Sequence, residues 1–165
     1  MHIRAYRPTD AAAFASLNRA WIEEFFVFEP SDAAQLGDVN ASIIGAGGFI
    51  AIAEHGGDVI GCGALIPAHN VPEPLAHLGV MEVSKMAVSP THQGHGAGKA
   101  VLIALVDEAK RRGVDLLRID THSKLTPAIT LYEKIGFTHM ANEAFWPTPF
   151  ARCNVQMELW LSPRN

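Results

Sequence analysis

The chain has 165 residues, of which 48% are hydrophobic and 18% are charged, and its formal net charge at pH 7 is -4. This length and composition are typical of one ordinary globular domain, so we expect residues 1–165 to form a single domain. The slight excess of negative charge gives no general attraction for phosphate backbones. The basic cluster at 110–112 is predicted to end a helix, where cations offset the helix dipole, so we expect no nucleic-acid partner.

The cysteines and histidines predict neither a disulfide framework nor a metal site. Cys62 and Cys153 lie far apart without a CxxC or Cys/His spacing, and the eight histidines form no HExxH or HxH arrangement. The first ten residues lack the apolar region of a signal peptide, and no apolar run approaches the ~20 residues of a membrane span. We therefore expect a cytoplasmic protein with reduced thiols, no metal and no membrane association.

The first half of the chain predicts a helix and a hairpin. Residues 2–6 alternate in polarity like a strand, and Asp10 is expected to cap the helix that follows. That helix carries apolar residues at helical spacing, namely Phe14, Leu17, Trp21 and Phe25. Residues 49–54 and 59–66 read as two strands, and the His-Gly-Gly-Asp link between them predicts a hairpin.

The second half of the chain alternates strands and helices. The predicted elements are a strand at 78–88, a helix from Gly96 to Arg112, a strand at 116–120, a helix at 126–136, and strands at 137–140 and 153–161. A strand-helix-strand order implies parallel pairing, whereas the hairpin in the first half implies antiparallel pairing. The sheet is therefore expected to be mixed.

The most informative segment is QGHGAGKA at 93–100. Three glycines at alternate positions before an amphipathic helix leave successive amide hydrogens unobstructed, which predicts an anion cradle. It is not a P-loop, because Gln93 occupies the first glycine position and Ala100 occupies the Ser/Thr position. It is not a dinucleotide-binding turn either, because Lys99 stands where the third glycine would fall.

Two motifs in this region resemble the GNAT superfamily of N-acetyltransferases. Gln93, Gly96 and Gly98 fit the cofactor signature of that family, and a hydrophobic-x-Val strand end precedes them. The later motif Ala-x-x-Leu-Tyr-Glu-Lys-x-Gly-Phe matches residues 128–137. The resemblance implies an α/β fold with a mixed, mostly antiparallel central sheet flanked by helices, and with parallel strands splayed at an acetyl-CoA slot.

The resemblance also implies how acetyl-CoA is bound. The backbone of the strand end would pair with the pantetheine arm, through Met86, Ala87 and Val88, and a bulge in this strand would open the slot. Amides of the glycine loop would hold the diphosphate, and the implied residues are Gln93, Gly94, His95, Gly96, Ala97, Gly98 and Lys99. One departure is Leu125, which stands where the family often has Asn and cannot supply the polar contact of that side chain.

Two residues are candidates for the chemistry. An amine with a pKa near ~10.4 must lose a proton before it attacks an acyl group, and Glu82 is the predicted base. Strand alternation places Glu82, Ser84 and Met86 on one face and Lys85 on the other. Tyr132 is the predicted acid for the leaving thiolate, as the resemblance implies. Alternatively, Glu82 is a strand carboxylate paired with a surface cation, and Tyr132 is an ordinary packing residue.

The acceptor residues are less well defined by the sequence. The candidates are Trp21, Phe25, Glu29, His122 and Arg152. An acidic and aromatic rim near the end of the first helix would attract a cationic amine, although solvated carboxylates are the simpler interpretation. Trp146 and Phe150 are further candidates, with packing as the alternative role.

The sequence thus predicts an acetyl-CoA-dependent N-acetyltransferase that passes an acetyl group directly to a primary amine of a small molecule. Two alternatives stay open. One is a non-catalytic acyl-CoA-binding sensor, in which Glu82 and Tyr132 would be dispensable, and the other is a protein or peptide N-acetyltransferase. The resemblance also implies a homodimer.

Overall fold

The computed structural model describes residues 1–163, which form a seven-stranded sheet with helices on both faces. The strands are β1 (His2–Ala5), β2 (Phe49–His55), β3 (Asp58–Pro67), β4 (Val80–Val88), β5 (Leu116–Thr121), β6 (Thr138–His139) and β7 (Val155–Trp160). The helices are α1 (Ala11–Phe25), α2 (Pro30–Gly37), α3 (Ala97–Arg111) and α4 (Thr126–Ile135). A π-helical turn at Asn40–Ile44 and several short 3-10 turns connect them.

The sheet is mixed, with strand order β1-β2-β3-β4-β5-β7-β6. Only β4 and β5 pair in parallel among the described strands, and every other neighbouring pair is antiparallel. This confirms the predicted mixed, mostly antiparallel sheet. Helix α3 is the crossover between the parallel strands, as their long connection requires.

Each face of the sheet packs against its own pair of helices. Helices α3 and α4 cover one face, where Val101, Leu105 and Leu117 are fully buried. Helix α1 and the segment after it cover the other face, where Phe14 and Ile22 are fully buried. The apolar stripe predicted for α1 is therefore core at its start but leaves the core at its end, because Phe25 is 46% exposed.

Helix boundaries in the second half follow local chemistry. Gly96 precedes α3 with a left-handed φ of 84°, and Gly113 follows it with a φ of 70°. Pro127 lies in the first turn of α4, and Gly136 ends that helix with a φ of 112°. Both helices lie within one residue of the predicted bounds because these residues restrict the backbone locally.

Asp10 occupies the predicted N-cap position of α1, but its side chain makes no capping hydrogen bond to this helix. The Asp10 carboxylate does not cap the helix; it accepts hydrogen bonds from Arg4 at 2.7 and 3.0 Å and from the Arg7 backbone N–H at 2.7 Å. The Arg4 guanidinium lowers the pKa of Asp10, against the opposing effect of burial. This pair ties β1 to the start of α1. Within the described residues, no helix is long and apolar enough to cross a membrane.

Candidate active site

The two parallel strands separate at the candidate site. Only three residue pairs join β4 to β5, and the last of them is Glu82 with Arg118. Beyond Glu82 the edge of β4 that faces β5 has no strand partner, so the two strands open into a slot. Backbone groups on such an edge are available to an extended ligand.

A β-bulge in β4 lies at the mouth of this slot. Ala64 pairs with Ser84 and Cys62 pairs with Ala87, so Lys85 and Met86 together oppose the single residue Gly63. Lys85 adopts a left-handed φ of 54°, which is unusual for a residue with a side chain. The bulge expected from the sequence is therefore confirmed.

The bulge also overturns one sequence prediction. Met86 was expected on the same face as Glu82 and Ser84, with Lys85 on the other. Instead Met86 packs with Val83 on the α3 side of the sheet, whereas Lys85 reaches α2 on the opposite side. The extra residue of the bulge shifts the alternation by one position, and a strict period of two misses this.

A cavity of about 650 Å³ occupies the slot. Of the residues predicted to hold the coenzyme, those that line it are Met86, Ala87, Val88, Gln93, Gly94, Gly96, Ala97, Gly98 and Lys99. His95 is exposed and is not among the lining residues. Apart from His95, the predicted cofactor residues therefore line one cavity.

The glycine loop presents backbone groups rather than side chains to the cavity. Gly94 and Gly96 have φ values of 78° and 84°, and no atom lies within 4 Å of the position that a Cβ would take at either residue. Helix α3 begins immediately afterwards at Ala97, so its first amides are free of intrahelical partners. Left-handed glycines before a helix N-terminus form the kind of nest that binds phosphate groups.

Glu82 lies on the cavity wall at the last paired position of β4. Burial raises the pKa of its carboxyl to about 7, and the negative charge of Asp120 acts in the same direction. The His69 backbone N–H, at 3.4 Å, and the charge of Arg118 oppose the shift. A carboxyl group with a pKa near 7 can exchange protons at neutral pH, as a general base must.

Tyr132 lies on α4 on the far side of the slot and also lines the cavity. Only 6% of its surface is exposed, and burial raises the pKa of the phenol to about 12. Its ring contacts Phe137, with 6.1 Å between the ring centroids. The hydroxyl is therefore protonated at neutral pH.

The other end of the cavity is lined by aromatic side chains. Trp21, Phe25 and Phe26 come from the end of α1, His122 follows β5, and Phe150 precedes β7. The ring of Phe26 is central, because it lies 6.3 Å from Trp21 and 5.1 Å from His122 between centroids. We refer to these five residues as the aromatic wall.

A buried ion network supports the aromatic wall. Asp32 is fully buried and accepts two hydrogen bonds of 2.8 Å from Arg152 and one of 3.0 Å from Lys85. Burial would raise the pKa of Asp32, but the bonds from Arg152 and from the Glu29 backbone N–H, with the charge of Lys85, lower it to about 2. Burial in turn lowers the pKa of Lys85, and Asp32 opposes that shift.

All but one of the predicted acceptor residues line the cavity. Trp21, Phe25, His122 and Arg152 all line the cavity. Glu29 is not a lining residue; it binds Arg152 at 2.9 Å and the Ala151 backbone N–H at 3.0 Å from behind. It therefore supports the wall from outside the cavity.

Lys85 and Asp120 line the cavity but were not found from the sequence. Phe26, which lines the cavity, and Asp32, which lies behind it, belong to the acidic and aromatic rim predicted near the end of the first helix. Asp120 could have been found, since it lies at the carboxyl end of a parallel strand beside the splay, where functional residues collect. Trp146, a weaker candidate, does not line the cavity and instead stacks on the buried Arg118, with 3.7 Å between the guanidinium carbon and the ring centroid.

Across residues 1–163, no group of three or more His, Cys, Asp or Glu side chains is placed to hold a metal ion. The two cysteines are free thiols, and burial raises the pKa of Cys62 to about 12.

The chain matches known proteins over most of this region. The profile of the Acetyltransferase (GNAT) family matches residues 13–137. Over 104 residues the chain is 32% identical to N-acetyltransferase family 8 member 2 of Rattus norvegicus. The matched segment covers 63% of this chain and 45% of that protein. Over 68 residues it is 37% identical to the ribosomal protein bS18-alanine N-acetyltransferase of Escherichia coli. This second match covers 41% of this chain and 46% of that protein. The chain thus spans less than half of the length of either relative.

The fold is similar to that of yncA from Salmonella typhimurium, which was solved with its cofactor acetyl-CoA. The TM-score is 0.78 at 24% sequence identity, and the match covers 100% of this chain and 96% of the other. The similarity confirms the predicted fold class, and the family match confirms the resemblance that the two motifs carried.

Proposed function

We propose that this chain, which belongs to the Acetyltransferase (GNAT) family, transfers an acetyl group from acetyl-CoA to a primary amine. The observation that carries the proposal is the cavity in the β4–β5 splay. It joins a phosphate-type loop at one end to a carboxyl group with a pKa near 7 at the other. A coenzyme thioester and an amine would meet between them.

The residues present fit acetyl-CoA. The amides of the loop at 93–99 and of the first turn of α3 would hold the diphosphate, because left-handed glycines leave them unshielded. The unpaired edge of β4 at 86–88 would bind the pantetheine arm as an added strand. The structural similarity to a protein solved with acetyl-CoA supports this assignment. When bound, acetyl-CoA supplies the acetyl group as a thioester.

We propose Glu82 as the general base. Its carboxylate takes a proton from the ammonium form of the acceptor, directly or through a water molecule, so that the amine lone pair becomes free to attack the thioester carbon. A backbone N–H of the 86–88 segment would stabilise the oxyanion that develops there. The raised pKa of Glu82 suits this role, because a base is most effective when its pKa lies near the working pH.

We propose Tyr132 as the general acid. Its phenol would donate a proton to the sulfur atom as the bond between carbon and sulfur breaks, so that coenzyme A leaves as a thiol. The acceptor nitrogen loses two protons in all. Glu82 takes the first and releases it to solvent, and the second, which leaves the nitrogen as the amide forms, returns to the Tyr132 phenolate, so both groups are restored. Its pKa lies well above neutral pH, so the phenol carries a proton when the thiolate leaves.

The acceptor is proposed to be a small molecule. The aromatic wall lines that end of the cavity, and Arg152 is held by Asp32 rather than free to bind a peptide backbone. A protein or peptide acceptor is the second candidate, because one relative is a ribosomal protein alanine N-acetyltransferase. The proposed residues of the acceptor end are Trp21, Phe25, His122 and Arg152.

The test combines calorimetry with a thiol-release assay. Wild-type protein is titrated with acetyl-CoA, and free thiol is then followed with amino acids, polyamines, aminoglycosides and short peptides. Saturable thiol release with a small amine supports the proposal, and release only with peptides supports the second candidate. Tight acetyl-CoA binding with background release for every acceptor, unchanged by E82Q and Y132F, would identify a non-catalytic sensor.

A cytoplasmic location and a homodimer are further proposals, carried by the cysteine content and by family resemblance. Light scattering of the purified chain tests the second one. A mass of about 36 kDa, twice the 17.8 kDa of one chain, is expected. A monomer at micromolar concentration would remove the dimer from the proposal without affecting the chemistry.

A further inference from the structure

Lys85 has a backbone conformation that its side chain disfavours. Its φ of 54° is one of two positive values among the non-glycine residues described, the other being Asn70. The left-handed region brings a Cβ too close to the following carbonyl oxygen, so lysine adopts it only where the surroundings hold it there. The conformation falls at the bulge, immediately before the backbone proposed to receive the pantetheine arm.

The side chain of Lys85 is fixed at its far end. Only 3% of it is exposed, and its Nζ lies 3.0 Å from Asp32 Oδ1 and 4.7 Å from the centroid of the Phe150 ring. Asp32 does not move easily, because Arg152 and the Glu29 backbone N–H also bind it. The ammonium group is therefore tied to a rigid point on α2.

The backbone of Lys85 is held by separate contacts. Its carbonyl oxygen accepts a hydrogen bond from the Cys62 thiol at 3.8 Å, and the Cys62 sulfur accepts one from Asn18 Nδ2 at 3.4 Å. Across the bulge, Gly63 leaves room for Met86, whose Sδ lies 2.5 Å from the position that a Cβ would take there. Lys85 thus turns towards α2 while Met86 turns towards α3.

We infer that the buried ion pair between Lys85 and Asp32 holds the β4 bulge in its left-handed conformation and so aligns the 86–88 backbone for the coenzyme. Lys85 is a positioning residue in this account, because it acts through the backbone that follows it. The inference rests on the proposed function for the identity of the ligand. The coenzyme slot then depends on α2, a helix that does not line the coenzyme half of the cavity.

The test compares K85G with K85A. Both variants remove the ammonium group, and in both Asp32 keeps its bonds to Arg152, so no buried carboxylate is left alone. They differ by one methyl group, which penalises the left-handed conformation in K85A but is absent in K85G. Affinity for acetyl-CoA is measured by calorimetry, and thermal unfolding verifies that each variant is folded.

We expect K85A to bind acetyl-CoA about tenfold more weakly than wild type and K85G to stay within about threefold of it. Equal weakening in both variants would overturn the inference, since it would mean that the ammonium group itself binds the coenzyme. Unchanged affinity in K85A would overturn it as well. If K85A does not fold, K85N replaces K85G and K85S replaces K85A, because Asn tolerates the left-handed region better than Ser.

An NMR measurement on the ligand-free protein tests this inference independently of the proposed function. Nuclear Overhauser contacts between Met86 and Val101 report whether the bulge directs Met86 towards α3. We expect them to persist in K85G and to weaken in K85A. If wild-type protein fails to bind acetyl-CoA, the proposed function fails, and these contacts still decide whether the ion pair maintains the bulge.

Discussion

The two ends of the cavity are built in different ways. The coenzyme end consists of backbone groups from one stretch of chain, residues 86–99, with α4 behind it. The acceptor end consists of side chains from segments that are far apart in sequence, at 21–32, 82–85, 120–124 and 150–153. Backbone recognition needs glycine at fixed spacing and little else, whereas side-chain recognition depends on which segments the fold brings together.

The family match covers the coenzyme end completely and the acceptor end in part. It covers residues 13–137 and so includes the whole coenzyme end, but it stops before Phe150 and Arg152. The part of the cavity proposed to hold the coenzyme thus lies entirely within the family match. The part that would choose the acceptor includes residues beyond it.

The largest expected effect lies where the two ends meet. E82Q removes the proposed base but keeps the shape of the side chain, so kcat should fall by about 10²–10⁴. Calorimetric affinity for acetyl-CoA should change less than about twofold, because Glu82 is not placed at the coenzyme backbone. E24Q, at an exposed position of α1, is the matched control and should behave as wild type.

The pH dependence of the same step gives a second signature. Because the pKa of Glu82 is raised to about 7, the basic form predominates above that pH, and kcat/KM should rise as pH increases through about 7. The pH profile of kcat/KM for E82Q should lack the rise near pH 7. It should keep only the rise that the titration of the amine itself produces. A wild-type profile that is flat from pH 6 to 8 would exclude Glu82 as the base.

The coenzyme end can be disrupted alone through its backbone. G96V places a β-branched residue at a φ of 84°, and acetyl-CoA affinity should fall by about 10²-fold as the loop rearranges. G47V has a comparable φ of 91° and open space around its Cβ, but Gly47 does not line the cavity. That control should lose stability without losing affinity; an equal loss of affinity would mean that G96V acts through general destabilisation.

The proposed acid should have a smaller effect. Y132F keeps the buried ring and its contact with Phe137 while removing the hydroxyl, so kcat should fall by about 10–10² with unchanged coenzyme affinity. Y6F is the control, since the Tyr6 hydroxyl binds Asn40 outside the cavity. Unchanged kcat in Y132F would assign proton donation to solvent.

The smallest expected effect belongs to the acceptor end. F26A removes the ring that contacts Trp21 and His122, and the acceptor KM should rise by about fivefold to tenfold. Affinity for acetyl-CoA should stay the same. V27A, whose side chain is 79% exposed beside Phe26, is the control. If F26A weakened coenzyme binding and left KM unchanged, the division between the two ends would be wrong.

The contrast between the ends also explains what the sequence could predict. The bounds of α3 and α4, the glycine loop and the splayed parallel pair follow from local signals, namely Gly96, Gly113, Pro127 and Gly136 and the order of elements. The presence of a bulge in β4 was also expected, but its effect on the direction of Met86 was not. The alternation of polar and apolar residues along a strand does not show at which position a β-bulge inserts its extra residue.

The ion network at the acceptor end could not be predicted. Asp32 appeared as one of several carboxylates near the end of α1, and nothing local distinguishes a buried carboxylate from a solvated one. Its partners lie 53 positions away at Lys85 and 120 positions away at Arg152. Pairings of this kind are properties of the tertiary fold. The motif likewise gives no signal that His95 is not among the lining residues.

Asp32 imposes a condition on any attempt to exchange acceptor specificity between related enzymes. Its carboxylate joins β4 to the chain just before β7, through Lys85 and Arg152. A chimera that imports a new segment for residues 145–151 alone would leave this junction intact. One that also replaced Arg152 would remove two of the bonds to a fully buried anion, and the disturbance would spread into the strand that lies beside the coenzyme.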